Sequence, residues 1–299
     1  MKILTATMLV FGVMAPATGF AADNTPPKAI DEKLGVPIVV YGANLSEDEK
    51  ESVKKSLKVN EEPEVEEITV SGQDLVKYIK DSNSSSRMYS SAKITRKNAG
   101  EGLVIEIVTP SNITQVTSEM YSNAMLTAGI EDATVQVAAP KAVTGHSALV
   151  GIYKAYEVTT GEKLDTDRTD VANDELSVAT TLTQSAGVDD AKVAELLTEI
   201  KKQIAESKPA TKEEVEKIVQ EQLNKLDINL SDKDRQLLVD LMNKISKLDI
   251  DFGKWSKQLD DISSTIKEKF GSLMEDTGFW ASVKNFFANL KDTIASWFN

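Results

Sequence analysis

The chain has no cysteine and a single histidine among its 299 residues. Without cysteine there can be no disulfide framework, no thiol nucleophile and no lipid anchor on a cysteine. One histidine cannot supply an ordinary zinc or copper site, which needs several nitrogen or sulfur ligands, so no metal of that kind and no cofactor is expected. Positive charge is also short. Lys and Arg number 34 against 47 Asp and Glu, for a formal net charge of −13. Such a chain repels phosphate backbones, which excludes nucleic acid as a partner. Beyond the amino terminus, no apolar run approaches the about 18 residues that read as a membrane span.

What is present begins at that terminus. Lys2 precedes an apolar run from Ile3 to Met14, Pro16 breaks it, and Gly19-Phe20-Ala21 places small residues at −3 and −1 of a cleavage site. This pattern predicts a signal peptide over residues 1–21, too short to span a bilayer. The mature chain then starts at Ala22, secreted and extracytoplasmic, away from cytosolic ATP, GTP and NAD. The lack of cysteine fits exported proteins of Gram-positive bacteria. Residues 22–34 are polar, contain Pro26-Pro27 and read as a flexible leader.

Residues 35–160 read as an α/β domain with a mixed sheet. Strands are predicted over Val36–Tyr41, Val65–Val70, Met88–Arg96, Leu103–Val108 and Ala133–Ala138. Lys97-Asn98-Ala99-Gly100 is expected to join the third and fourth as a hairpin. Ser46 and Glu49 form a capping box, Ser71–Lys80 reads as a short helix, and Pro110-Ser111-Asn112 should start a helix ended by Gly129. A further helix spans Thr144–Tyr156. Residues 161–275 read as an all-α domain, with helices over Asp170–Ala186, Asp189–Glu206, Thr211–Leu226, Ser231–Lys247 and Lys254–Phe270. An echo, Lys225-Leu226-Asp227-Ile228 and Lys247-Leu248-Asp249-Ile250, brackets the fourth of these and predicts extended connectors that dock apolar residues. Residues 276–299 are expected to form an amphipathic aromatic tail helix. Phe279, Trp280, Phe286, Phe287, Trp297 and Phe298 share one stripe opposite Lys284 and Lys291. That stripe can pack on the protein or a partner, or lie at a membrane surface.

Few motifs carry chemistry. Gly145-His146-Ser147-Ala148-Leu149 begins like the nucleophile elbow of serine hydrolases, but no second histidine exists to deprotonate Ser147. Thr144 or Ser147 is expected to cap the following helix instead. Asp165–Asp170 and Asp227–Asp232 begin like calcium loops, yet Leu176 and Leu238 stand where a chelating Glu is needed, so helix capping accounts for both. Glu106, within Leu103–Val108, is the one catalytic candidate: buried in a strand covered on both faces, it would become a general acid. The alternative is a cross-strand ion pair with Lys93. The polar run Ser82–Ser86 beside Arg87 and Tyr89 has the composition of a ligand-holding loop. Arg87, Tyr89 and His146 are the ligand-binding candidates.

Longer stretches carry a resemblance. Val70-Ser71-Gly72-Gln73-Asp74, Ser86-Arg87-Met88-Tyr89-Ser90-Ser91-Ala92, Gly102-Leu103-Val104-Ile105-Glu106-Ile107 and Tyr121-Ser122-Asn123-Ala124 contribute to it. So do Thr144-Gly145-His146-Ser147-Ala148-Leu149, Gly151-Ile152-Tyr153-Lys154-Ala155-Tyr156 and Lys247-Leu248-Asp249-Ile250-Asp251. Together these resemble a family of exported Firmicute proteins of unknown function typified by the Bacillus protein YpuA. The resemblance implies export and a cell-envelope setting, and supplies no reaction, cofactor or catalytic residue. The expected function is a non-enzymatic binding or scaffold protein that meets a protein, wall or membrane-surface partner. The alternatives are a carboxylate-based enzyme acting on an envelope polymer, and a membrane-surface protein held by its tail.

Overall fold

The β-branched run Ile38–Gly42 forms β1, buried along its whole length. The computed structural model describes residues 34–270. The expected signal peptide, nearly all of the leader and the aromatic residues from Phe279 to Phe298 lie outside the described residues. Strands β2 (Glu66–Val70), β3 (Ser91–Arg96), β4 (Val104–Ile107) and β5 (Ala133–Ala138) complete a mixed sheet in the order β2-β1-β3-β5-β4. The outer pairs β1/β2 and β4/β5 are parallel, and β3 runs antiparallel to both its neighbours. Helix α1 (Glu47–Ser56) links β1 to β2, and α3 (Ser118–Ala128) links β4 to β5. Both parallel pairs are therefore βαβ units, whose crossover needs a helix.

The expected hairpin between β3 and β4 is not formed, because β5 lies between them. The burial pattern explains the insertion. In β5, Ala133, Val135, Val137 and Ala138 are all buried, as suits an interior strand, whereas β4 buries only Ile105 and exposes Val104 and Glu106, as suits an edge. Register consequently sets both Lys93 and Glu106 opposite Gln136. Gln136 Nε2 donates to Glu106 at 2.7 Å. The expected Lys93–Glu106 ion pair is absent; Lys93 is buried and its ammonium donates to Glu62 at 3.0 Å and to the Leu57 carbonyl at 2.8 Å.

Helix α4 (His146–Thr160) crosses β1 and β3 on the face that carries Ile38, Val40, Ala92 and Ile94. Gly151 permits this approach, since a Cβ there would stand 3.1 Å from the Val40 side chain. The opposite face packs Val39 and Tyr41 on Val53 and Leu57 of α1. Several starting points differ from expectation: the first helix of the all-α region begins at Thr166, four residues ahead of the expected Asp170, and two other starts have a local cause. Residues 110–116 are not helical, because Asn112 and Thr114 pair their backbones with Val143, and Thr117 caps α3 by accepting from Met120 N. Helix α4 is capped neither by Thr144 nor by Ser147. Gly145 holds that position with φ +102°, and a Cβ there would come within 2.8 Å of the Tyr121 hydroxyl.

Helices α5 (Thr166–Ser185), α6 (Asp190–Ser207), α7 (Lys212–Lys225), α8 (Asp232–Ile245) and α9 (Phe252–Phe270) follow, and a short α2 (Gly72–Tyr78) precedes β3. Asp165 caps α5 by accepting from Asp167 and Arg168 N–H groups, and Ser231 caps α8, as expected of both calcium-like segments. The echo is met in part: Ile228 and Ile250 are buried beside the two ends of α8, but Leu226–Asp227 and Lys247–Leu248 close the preceding helices as turns and are not extended connectors. One cluster of buried apolar side chains continues from Ile38 in the sheet to Ile266 in α9.

Helices α5, α6 and α9 all pack on α3, and their polar side chains converge on its last turn. Lys201 of α6 donates to the Asn123 carbonyl at 2.9 Å. Arg168 of α5 donates to the Thr127 carbonyl at 2.9 Å and the Leu126 carbonyl at 3.1 Å, and Trp255 Nε1 of α9 reaches Leu126 O at 3.2 Å. Lys201, with a fully buried side chain, lies 2.8 Å from the Glu175 carboxylate, which also accepts from the Thr127 hydroxyl. Carbonyls near a helix carboxyl end carry partial negative charge, so Arg168 and the Trp255 indole N–H suit the end of α3, and Lys201 adds a donor to the Asn123 carbonyl one turn earlier.

Two predictions follow from this layer. Glu175→Gln strands the buried Lys201 ammonium and should cost about 3–5 kcal/mol in urea unfolding, while Lys201→Met with Glu175→Leu should restore most of the loss. On α6, burial and the nearby Glu199 charge push the Glu195 carboxyl up to about 6. The folded state therefore binds that proton more tightly than the unfolded state does. Its contribution is full below the ordinary glutamate pKa and is lost as pH rises through about 6. Glu195→Gln should match the wild type near about pH 4 and exceed it by about 1–2 kcal/mol above about pH 7.

Candidate functional site

Three chain segments meet at the end of the sheet where β3 finishes and β4 and β5 begin. The first is the turn Lys97–Gly102, made possible by Gly100 at φ +86° and Gly102 at φ +69°. The second is the connection from α3 into β5, where Asp132 adopts a left-handed conformation at φ +50°. Aspartate tolerates that region because its short side chain can bond locally to the backbone. Here Asp132 Oδ1 accepts from Gly100 N at 3.0 Å and Gly102 N at 2.7 Å, which fixes the turn against β5. The third segment is the first half of α9, where Asp251 Oδ1 accepts from the Gly253 N–H at 3.1 Å.

These segments enclose an open cleft of about 410 Å³. Four carboxylates line it, Glu131, Asp132, Asp251 and Asp261, against two ammonium groups, Lys254 and Lys257. Lys257 is turned onto the turn itself and donates to the Gly100 carbonyl at 3.1 Å. Burial, together with the Asp132 and Asp251 charges, raises the Glu131 carboxyl above the ordinary range, while Lys254 and Arg168 partly oppose that rise. Gln258 stands on the α9 wall, 8% exposed. The volume suits a small organic molecule. A carboxyl whose pKa is raised, in a cleft, can hold a cation or deliver a proton.

The residues singled out from sequence lie elsewhere and apart from one another. Glu106 is exposed on the edge strand beside Gln136. Arg87 is exposed ahead of β3, and Tyr89 lies under the Lys141 ammonium, 3.9 Å from its ring centre. Lys141 is also paired to Glu49 at 2.8 Å. His146 opens α4 and its Nε2 sits 3.4 Å from Thr180 Oγ1 on α5; burial lowers its pKa. No hydrogen bond or ion pair joins any two of these four among the described residues. The sequence patterns predict the Lys97–Gly100 turn and the helix over Lys254–Phe270, but do not bring the two together as walls of a cleft. Glu131, Asp132 and Gln258 carry no local motif, and only tertiary packing brings them together. Among the described residues, no group of three His, Cys, Asp or Glu side chains is placed to hold a metal ion, and no helix is long and apolar enough to cross a membrane.

Fold and cleft together define an α/β protein whose mixed sheet is capped by a helical layer, with an acid-lined cleft between them. Residues 41–262 match the family described as "Protein of unknown function (DUF1002)", and the chain belongs to that family. The "Uncharacterized protein YpuA" of Bacillus subtilis (strain 168) is 37% identical over 273 residues, covering 90% of this chain and 91% of that protein. No solved structure matches the chain. Every residue that lines the cleft falls inside the matched family region.

The turn that builds the cleft can be tested on its own. Asp132→Ala removes the acceptor of two glycine N–H groups and leaves a side chain in a left-handed position. It should cost about 1–3 kcal/mol in thermal or urea unfolding and shift the Gly100 and Gly102 amide resonances.

Proposed function

We propose that this chain is an exported, non-enzymatic binding protein of the cell envelope, and that the cleft between the β3–β4 turn and α9 is its binding site. The observation that carries this reading is the convergence of Glu131, Asp251, Asp261 and Gln258 from separate segments on one open volume. Polar groups of surface loops ordinarily point into solvent, whereas these line a common cavity, as in small-molecule sites. Export rests on the pattern over residues 1–21, and the envelope setting on the resemblance to exported Firmicute proteins. A non-enzymatic role agrees with the position of Ser147, next to a histidine whose Nε2 is 3.4 Å from Thr180.

A carboxylate-based enzyme acting on an envelope polymer is the second reading, and one observation favours it. Glu131 is a cleft carboxyl held above its ordinary pKa, as a general acid requires. Turnover of purified wall fragments by the wild type but not by Glu131→Gln would move the assignment to this reading.

Expression of the full chain in a Gram-positive host should yield extracytoplasmic protein beginning at Ala22. A bulky Ala21→Trp substitution should leave uncleaved precursor. Soluble cytosolic protein retaining Met1 would refute export. For binding, amide NMR spectra of the mature chain titrated with charged and neutral small molecules should show shifts confined to the cleft. A panel that moves none of its amides would refute the site.

A further inference from the structure

Among the described residues the exposed large apolar side chains are Val76 on α2, Val104 on β4, Val158 on α4 and Leu237 on α8. Leu237 stands on the rim of a groove between α5 and α8. The two helices run antiparallel there, with the Lys244 ammonium 2.6 Å from the Asp174 carboxylate. Val178 and Leu241, both buried, form the floor, and the space above them is about 250 Å³. Thr181 and Leu237 mark the end nearest the carboxyl terminus of α5. Asp174, Asp240 and Lys244 edge the groove and leave its rim negative. Each wall, 174 to 181 and 237 to 244, is about 10 Å of helix.

The course of α9 fixes where the rest of the chain departs. It runs antiparallel to α6: Lys202 meets Asp260 at 2.7 Å, Ser263 donates to Glu199 at 3.0 Å, and the Lys267 charge acts on Glu195. The carboxyl end of α9 therefore lies beside the amino end of α6. That end is joined through residues 186–189 to the carboxyl end of α5, one turn beyond Thr181. Because α6 packs on both α9 and α5, at most two interhelix spacings of about 8–10 Å separate them. Residues 271–278 can reach about 26 Å, which covers that distance. The aromatic stripe follows at once. Trp280, Val283 and Phe287 recur at the spacing of one helix ridge and cover about 10 Å, the length of the groove. Lys284 lies within that stretch and carries the charge that the rim lacks.

We propose that the first turns of the tail, residues 278–288, dock as a helix in the α5–α8 groove, Trp280 entering between Thr181 and Leu237 and Lys284 lying beside Asp240. The occupant is this chain's own tail and not a second copy, since two chains of net charge −13 repel one another. A tethered segment also meets the groove at an effective concentration on the order of millimolar, an advantage that no separate partner has. The inference stands apart from the cleft and from the binding role proposed above.

The chain lacks cysteine, so one introduced thiol reports without background. In the mature full-length protein, a nitroxide on Ser282→Cys should broaden the amide resonances of Thr181, Leu237 and Leu241 and leave that of Gly100 sharp. The broadening should persist on about tenfold dilution, as an intramolecular contact does. Leu237→Asp, at an exposed position, should reduce it at least about tenfold, and Leu237→Met should preserve it. Trp280→Ala should act like Leu237→Asp, and it carries the comparison if that variant is poorly folded, because it leaves the described core unchanged. Broadening that appears only between mixed copies, one bearing the nitroxide and the other the isotope label, would assign the groove to a second chain and overturn the proposal. Groove resonances that stay sharp would overturn it too, whether the protein then sediments with phosphatidylcholine vesicles or remains in solution.

Discussion

The carboxyl end of α3 is the point on which the described structure depends. Its carbonyls at Leu126 and Thr127, and that of Asn123 one turn earlier, receive donors from α5, α9 and α6, and each donor side chain comes from a different part of the sequence. The Lys201 ammonium at this point has its side chain wholly buried, which burial alone would make prohibitive. It is held there by the Glu175 carboxylate at 2.8 Å, by the Asn123 carbonyl and by the face of Trp255, whose centre is 5.4 Å away. The Gly129 and Ile130 N–H groups cap Leu126 and Met125, and the side-chain donors complete this end as the junction of four helices.

The same junction places the cleft. Trp255 anchors the first turn of α9 to α3, and Asp251, Lys254, Lys257 and Gln258 follow from that anchoring, since they lie on the same stretch of helix. Gly129 ends α3 at φ +91°, and three residues later Asp132 tethers the β3–β4 turn. The wall formed by α9 and the wall formed by the turn are therefore both positioned from one helix terminus. Surface ion pairs such as Lys80–Asp167 and Lys212–Asp240 add little by comparison, since both partners are solvated.

Much of the architecture was legible because the local patterns were strong. The capping boxes at Ser46 and Thr211, the run in α8 and the alternation in β5 each specify their element without help from distant residues. The errors lie where a remote partner decides. Strand order could not be read because the turn at Lys97–Gly100 looks like a hairpin, and only the burial of β5 against the exposure of β4 shows which strand is central. Thr144 and Ser147 were reasonable caps until the Tyr121 hydroxyl, bonded to the Gly145 carbonyl at 2.6 Å, fixed the glycine in that role. The cleft was least legible of all. Carboxylates are abundant in this chain, so none of them stands out until packing sets Glu131 and Gln258 around the same space.

The separation of Leu126 from Trp255 along the chain is 129 residues. A polypeptide threaded through a pore with its amino terminus leading would deliver the acceptors long before the Trp255 indole donor emerged. Completion of the described interior is then gated by arrival of α9, and nascent or prematurely terminated chains that lack it would present an open, water-exposed centre to any quality-control protease.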